Sequence, residues 1–393
     1  MKNKKIAIYS GEIPSTTFIE RLINGLALAG NTIYLFGNQK KQVVYPKNIK
    51  KFTYSNKFNK FTFLLKYTIL LTFFKSKEKQ KLDEIIAHQK GNKKAKQLKY
   101  YPVLYHKPDI FHLQWAKGIE DWLWVREFGI QFVLSLRGTH ISISPIADAT
   151  LGKKYRANFC KVDGFHAVSK AILEEAKSYE PNLKNASVIY SGLDLKELIY
   201  KPKKTINPEL KILSIGRSHW LKGYTYALDA FYLLKEENFS FHYTIIGIDN
   251  DEELLFQRDQ LHLEQHVTFQ KSVSFERITE EIYEADILLL PSLEEGIANV
   301  VLEAMALGTL AISSNCGGMT EIVRNNENGF IVPIRDSRAI AETIKKVKEL
   351  SLESYNTITL NARIALEAQH EKDKMISDFE SFYDSVYNSN QIK

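Results

Sequence analysis

Short apolar runs alternate with helical patterns along this chain, and the alternation runs twice, which confines the fold to parallel α/β sheets with helical crossovers. In the first half the strand candidates are residues 5–10 (KIAIYS), 31–37 (NTIYLFG), 109–114 (DIFHLQ), 131–136 (QFVLSL), 163–169 (DGFHAVS) and 187–192 (SVIYSG). A helical pattern over 17–30 follows the first of them, with Gly30 as its stop. Residues 201–210 (KPKKTINPEL) carry two prolines, clustered lysines and no periodic apolar face, and read as an interdomain linker. The second round has strands at 211–216, 241–247, 266–270, 286–292, 309–314 and 329–333, with helices at 223–237 and 298–308. At 393 residues the chain exceeds one ordinary core. The expected layout is a domain over 1–200, the linker, a second domain over 211–370 and a closing helical stretch over 371–393. Two such sheets leave a cleft between the carboxyl ends of their strands, where ligands of open parallel sheets bind.

The charge is uneven. Between Lys40 and Lys107 stand 18 lysines, no arginine and only three acids, Glu78, Asp83 and Glu84. Inside this region residues 61–74 (FTFLLKYTILLTFF) are broken only by Lys66, and they fall short of the roughly 20 apolar residues that span a bilayer. Two readings stand: a helix lying in an anionic membrane surface, or a core helix ringed by solvated lysines. Nucleic acid is not an expected partner, because arginine is absent and no recognition motif accompanies the lysines. Cys160 and Cys316 form neither a disulfide framework nor a metal-ligand pattern, which suits a reducing compartment. The start, MKNKKIAIYSGEIPS, passes from basic residues straight into a strand without an apolar signal region. The expected location is cytoplasmic, at most peripheral at the inner face of the cell membrane.

Candidate functional residues gather in loops after strands. In 213–223 (LSIGRSHWLKG), Arg217 and Lys222 are two cations suited to a diphosphate, against the alternative of a solvated loop. In 294–308 (EEGIANVVLEAMALG) a helix opens after Gly296, and the free N–H groups of a helix start attract anions. Counted at helical rise, Glu303 lies roughly 12 Å beyond Glu295, too far to share a proton but suited to gripping opposite ends of an extended ligand. Leu302, Ala304 and Met305 flank Glu303, where an unpaired carboxylate is costly. Gly317 and Gly318 allow close backbone approach to a ligand, and Glu321 opens another helix. In the first half Gly11 follows a strand, as do Arg137 and His140 in 134–144 (LSLRGTHISIS), although a lone histidine is more often structural. Asp249, Asn250 and Asp251 read as a solvated turn rather than a metal motif. No G-x-G-x-x-G follows the first strand, and neither a P-loop nor a G-x-S-x-G elbow is present.

Arg217 and Lys222, the Glu295/Glu303 pair, the double glycine and 328–332 (NGFIV) together resemble the group 1, GT4-type retaining glycosyltransferases. Looser matches at 13–19 (IPSTTFI), 167–169 (AVS) and 190–194 (YSGLD) extend the likeness along the chain, toward bacterial enzymes that build surface polysaccharides. The resemblance implies the GT-B fold, two Rossmann-like domains with parallel sheets facing a central cleft, and a closing helix that packs back on the first domain. It implies a UDP- or GDP-sugar donor, a glycan or lipid-linked acceptor, no cofactor and no metal. Arg217 and Lys222 would neutralise the leaving diphosphate and Glu303 would take the ribose hydroxyls. Glu295 would meet the donor sugar, with Gly296 and the amides of Ile297, Ala298 and Asn299 near it. Gly11, Arg137 and His140 would serve from the first domain. Arg137-Gly138 stands where the family often has His-Gly, His140 replaces a common acid, and Lys271 and 248–251 (IDND) replace glycine-containing turns. Rival readings are a sugar-nucleotide epimerase of the same fold and a non-catalytic, membrane-docked sugar-nucleotide-binding subunit.

Overall fold

The computed structural model describes residues 4–389. It divides into two compact units. The first gathers the chain through Val168, then Ile172–Gly192 and the segment from Lys372 on; the second holds Ser169–Ala171 and Leu193–Glu371.

The first unit is built on β1 (Lys5–Tyr9), β2 (Gly11–Ile13), β3 (Thr32–Gln39), β4 (Ile49–Tyr54), β5 (Ile110–Leu113), β6 (Gln131–Leu136), β7 (Gly164–Ala167) and β8 (Ala186–Val188). The order is β2-β3-β1-β5-β6-β7-β8, with β4 also on β3, and every pairing is parallel. Strands β5 and β7 are buried throughout, as parallel strands covered on both faces must be, so they read as apolar runs interrupted only by the buried His112 and His166. One face packs against Tyr67, Leu71, Leu82, Ile86 and Tyr100. The other packs against Ile19, Leu22 and Leu26 together with Ile376, Phe379 and Tyr383 of the final helix, Lys372–Asn388. Glycine admits that helix: a Cβ on Gly25 would lie 2.4 Å from Ile376 Cδ1, and one on Gly164 2.4 Å from Val386 Cγ2. Strand β4 was not expected from the sequence. Its exposed Lys50 and Lys51 interrupt the apolar run, which an edge strand tolerates and a central one does not.

The second unit has β9 (Leu210–Ile215), β10 (Phe241–Ile246), β11 (Val267–Gln270), β12 (Ile287–Leu290), β13 (Leu310–Ser314) and β14 (Phe330–Val332), in the order β11-β10-β9-β12-β13-β14, again all parallel. All six overlap the expected runs. Leu228, Phe231, Ile340 and Ile344 cover one face, while Ile282, Val301, Met305 and Leu366 cover the other. The chain leaves β9 first toward β10 and later returns on its other side as β12. The crevice beyond β9 and β12 is therefore the switch point where such sheets hold ligands. The stretch 201–210, expected as the interdomain linker, and the residues just ahead of it pack on the second unit. Leu193, Leu195 and Leu198 enter the second core, Lys201 N–H donates to Leu307 O at 3.2 Å, and Lys203 N–H donates to Asn356 Oδ1 at 2.9 Å. The prolines announced the lack of regular structure, which is not a lack of packing.

Candidate active site

Strand β9 feeds a loop that ends in the turn Trp220–Lys222, closed by Gly223 at φ 65°. A Cβ on Gly223 would fall 2.1 Å from the Pro291 carbonyl oxygen, so glycine alone lets this turn sit against the chain leaving β12. Leu293 N–H donates to Leu221 O at 2.7 Å and ties the two loops. That junction sets Lys222 Nζ 2.6 Å from Glu295 Oε1, and Ser292 Oγ donates to the same oxygen at 3.1 Å. The two side chains are 22% and 18% exposed, withdrawn enough for a charge-assisted bond to be strong and open enough to be reached. Arg217 is exposed in the same loop. Tyr224 donates its hydroxyl to Gly216 O at 3.2 Å, and burial, reinforced by the Glu295 carboxylate, keeps the phenol protonated.

The double glycine packs against the chain that leads into the helix start. A Cβ on Gly317 would lie 1.8 Å from Glu295 O and one on Gly318 2.2 Å from Gly296 O, while Gly318 N–H donates to Gly296 O at 3.0 Å. This close approach is to the backbone that carries Glu295. Cys316 beside it is buried, and burial, with Glu295 and Glu294 adding, pushes its thiol up to about 12. Glu321 does not open a helix. It ends the short turn Met319–Glu321 and accepts the amides of Lys170 and Ala171 at 3.0 and 2.9 Å.

The helix Asn299–Leu307 starts after Ala298 with no side chain capping it. Ala298 N–H reaches Met319 Sδ at 3.4 Å, and the buried Asn299 Oδ1 has no hydrogen-bond partner. Val301 and Leu302 N–H donate to Ala298 O at 3.1 and 3.4 Å, while the amides of Asn299 and Val300 stand ahead of the first helical acceptor and leave this end available to an anion. Glu303 is half-buried among buried Leu302, Ala304 and Met305. Glu295 lies in the loop ahead of the helix, so helical rise does not measure its separation from Glu303.

In the first unit Gly11 begins β2 at φ 90°. Arg137 follows β6, donates from Nη2 to Gln114 Oε1 at 2.8 Å, and lies 4.5 Å over the Phe18 ring. Burial lowers its pKa to about 9. The His140 ring stands 5.3 Å from Trp115, and burial, with Lys117 adding, pushes it down to about 4, so the imidazole is uncharged at neutral pH. The expected residues thus divide. Arg217, Lys222, Glu295, Gly296, Ile297, Ala298, Asn299 and Glu303 belong to the second unit, and Gly11, Arg137 and His140 to the first. Sequence reasoning missed Ser292, Tyr224 and Gln114. None carries a motif signal, and only Gly223, directly after Lys222, hinted at the locked turn. Asp249 pairs with Lys271 at 3.0 Å, both exposed, and Asp251 caps the helix Glu252–Gln260, so this acidic stretch is a capped turn. Among the described residues no cluster of histidine, cysteine and acids could hold a metal ion.

Residues 196–365, within the unit that carries Arg217, Lys222, Glu295 and Glu303, match the sequence model of the glycosyl transferases group 1 family. A putative colanic acid biosynthesis glycosyltransferase of Escherichia coli is 30% identical over 183 residues, which take in 45% of this chain and 45% of that protein. The match thus spans about half the length of that relative. A glycosyltransferase from Rickettsia africae superposes with a TM-score of 0.71 at 16% identity, covering 98% of this chain and 99% of its own. The Anabaena protein HepE, solved in complex with UDP, superposes with a TM-score of 0.69 at 16% identity over 98% of this chain and 100% of its own. Through residues 196–365 the chain is similar to the group 1 glycosyl transferases, and its two parallel-sheet units share the GT-B fold of the solved glycosyltransferases it superposes on.

Proposed function

We propose that the chain transfers a sugar from a UDP- or GDP-sugar to a glycan or lipid-linked acceptor in polysaccharide biosynthesis, with retention of anomeric configuration and without a metal. The observation that carries this reading is the Lys222–Glu295 pair at 2.6 Å, locked beside Arg217 and ahead of an uncapped helix start. A leaving diphosphate needs positive charge held close to it, and Arg217, Lys222 and the amides of Ile297 and Asn299 supply it, with the Ala298 amide joining them on leaving Met319 Sδ. Glu295, an acceptor-only group once ionised, takes a donor-sugar hydroxyl, and Glu303 takes the ribose hydroxyls. Without a donor, Glu295 neutralises Lys222; the arriving diphosphate takes over the lysine and releases Glu295 to the sugar. The acceptor oxygen bonds to the anomeric carbon on the face the phosphate leaves, and its proton passes to the departing phosphate oxygen. Such a route needs no protein nucleophile. His140, uncharged, serves in the first unit as a hydrogen-bonding group, and Arg137 and Gly11 are the other first-unit residues of this reading. HepE, also solved with UDP-glucose, and the colanic acid relative support the donor class and the setting.

The first unit adds a membrane surface to this reading. The helix Lys57–Phe74 buries Tyr67 and Leu71, yet Phe58, Phe61, Leu65, Ile69 and Phe73 are 46–79% exposed along its opposite face. Exposed Lys57, Lys60 and Lys66 flank that stripe, and the helix contains no acid. No helix among the described residues is long and apolar enough to cross a membrane. An apolar stripe edged by lysines suits an anionic lipid surface, where a lipid-linked acceptor would be found.

The test is donor turnover. A thermal-shift panel of nucleotide sugars selects the donor, and its consumption by the pure protein is followed with and without lipid-linked glycan acceptors. Acceptor-dependent release of the nucleoside diphosphate, with a product of unchanged anomeric configuration, is expected. Release of an altered sugar nucleotide without acceptor would make it an epimerase, and donor binding without turnover would make it a binding subunit.

A further inference from the structure

Beyond β6 lies a half-buried cation, its Nε fully buried, without a counter-ion among the described residues. Arg137 has one hydrogen bond, to the side-chain oxygen of Gln114, and its Nε is buried with no acceptor. Among the described residues no carboxylate pairs with it. Gln114 is 0% exposed, and its Oε1 also receives Ser135 Oγ at 3.5 Å. With the oxygen turned toward two donors, the amide nitrogen points elsewhere, and it too is buried without a partner. His140 Nδ1 is the third such atom. The three side chains belong to one chain of contacts: Gln114 on Arg137, Arg137 over Phe18, Phe18 edge-on to Trp115 at 6.2 Å, and Trp115 against His140. Buried donors without partners cost stability, and an uncompensated guanidinium costs more. A fold keeps such a group where something outside the chain completes it.

We propose that Arg137, Gln114 and His140 form an oxyanion cradle in the first unit that takes a phosphate group of a substrate. Arg137 Nε, Gln114 Nε2 and the Nδ1–H tautomer of neutral His140 donate to it, and Arg137 supplies the charge. The inference rests on the proposed sugar transfer only for the source of the phosphate. That source is either the donor's diphosphate or a phosphate on the acceptor, and the chemistry of the cradle is the same for both.

The experiment uses the full chain as wild type, Arg137→Gln and Arg137→Lys, in two arms. In the first, UDP is titrated calorimetrically. In the second, inorganic pyrophosphate is titrated into protein saturated with UDP. Loss of one charged hydrogen-bond donor predicts about 10- to 100-fold weaker binding in Arg137→Gln, with partial recovery in Arg137→Lys. Weakening in the UDP arm assigns the donor's phosphate, and weakening in the pyrophosphate arm assigns the acceptor's. Unchanged binding in both arms overturns the cradle. Melting temperature separates binding from structure: without ligand Arg137→Gln melts at the same temperature as wild type or higher, because a strained cation has gone. A large drop in melting temperature would make Arg137 a structural residue and overturn the proposal. A wild type that binds no UDP defeats the proposed donor while pyrophosphate alone still tests the cradle.

Discussion

Gly317 shows how a site residue can act without touching a ligand. Its Cβ position lies 1.8 Å from the carbonyl oxygen of Glu295, and its φ of 47° is strained for any other residue. Gly317→Ala must therefore push the loop that carries Glu295 away from Lys222. The expected result is a second unit destabilised by roughly 2–3 kcal/mol in urea unfolding, with sugar transfer falling further than stability alone accounts for. A variant with wild-type unfolding and wild-type transfer would show that the turn can move freely. At this scale the sequence revealed the charged residues and hid the geometry. Arg217, Lys222, Glu295 and Glu303 stand out because cations after a strand and acids beside an apolar helix are anomalous. Ser292 and Gln114 do not stand out, because a serine or glutamine acquires its role only from the partner the fold brings to it. The double glycine was visible, but sequence cannot say which backbone comes close.

The helix Lys57–Phe74 marks the limit of pattern reading at the scale of elements. A soluble surface helix declares itself by one apolar face; this one is apolar on two, so no amphipathic pattern emerges and the core and membrane readings looked equivalent. In the structure Tyr67 and Leu71 face inward while Phe58, Phe61 and Phe73 are exposed. Its inward face is fixed by Tyr67, whose hydroxyl meets His106 Nε2 at 2.8 Å. In flotation with vesicles containing anionic phosphatidylglycerol the protein should rise with the lipid. Replacing Phe58, Phe61 and Phe73 together by serine should reduce binding at least tenfold, at about 1–2 kcal/mol for each aromatic ring withdrawn from lipid. Equal flotation of the variant, or binding to neutral vesicles alone, would rule out this surface. Regular strands were legible because a parallel strand buried on both faces has only one way to look. Strand β4, with lysines at an edge, was not.

For the whole molecule the doubled β/α alternation was sufficient to place both parallel sheets, since crossover helices and strand runs leave few alternatives. The boundary between the units was less legible, because residues 193–207 are irregular yet packed. His106 and His140 are held to about 4 and His166 to about 3, chiefly by burial, His112 lies well below its ordinary value, and all four are in the first unit. These histidines stay neutral when folded, whereas the unfolded chain takes up their protons below about pH 6.5. Their contribution is therefore complete above that pH and is lost as the pH falls toward 4, by several kcal/mol in sum. Hydrogen exchange at pH 7 and pH 4.5, corrected for intrinsic rates, should show the first unit losing protection before the second. Loss in the second unit first would contradict this.

The most direct test of the donor site is calorimetric titration of UDP and GDP into wild type and Glu303→Ala. The account predicts that wild type binds at least one of the two, and that Glu303→Ala binds it about tenfold or more weakly, for the loss of one charged acceptor to the ribose. A wild type that binds neither, or a Glu303→Ala protein that binds as tightly as wild type, would contradict it.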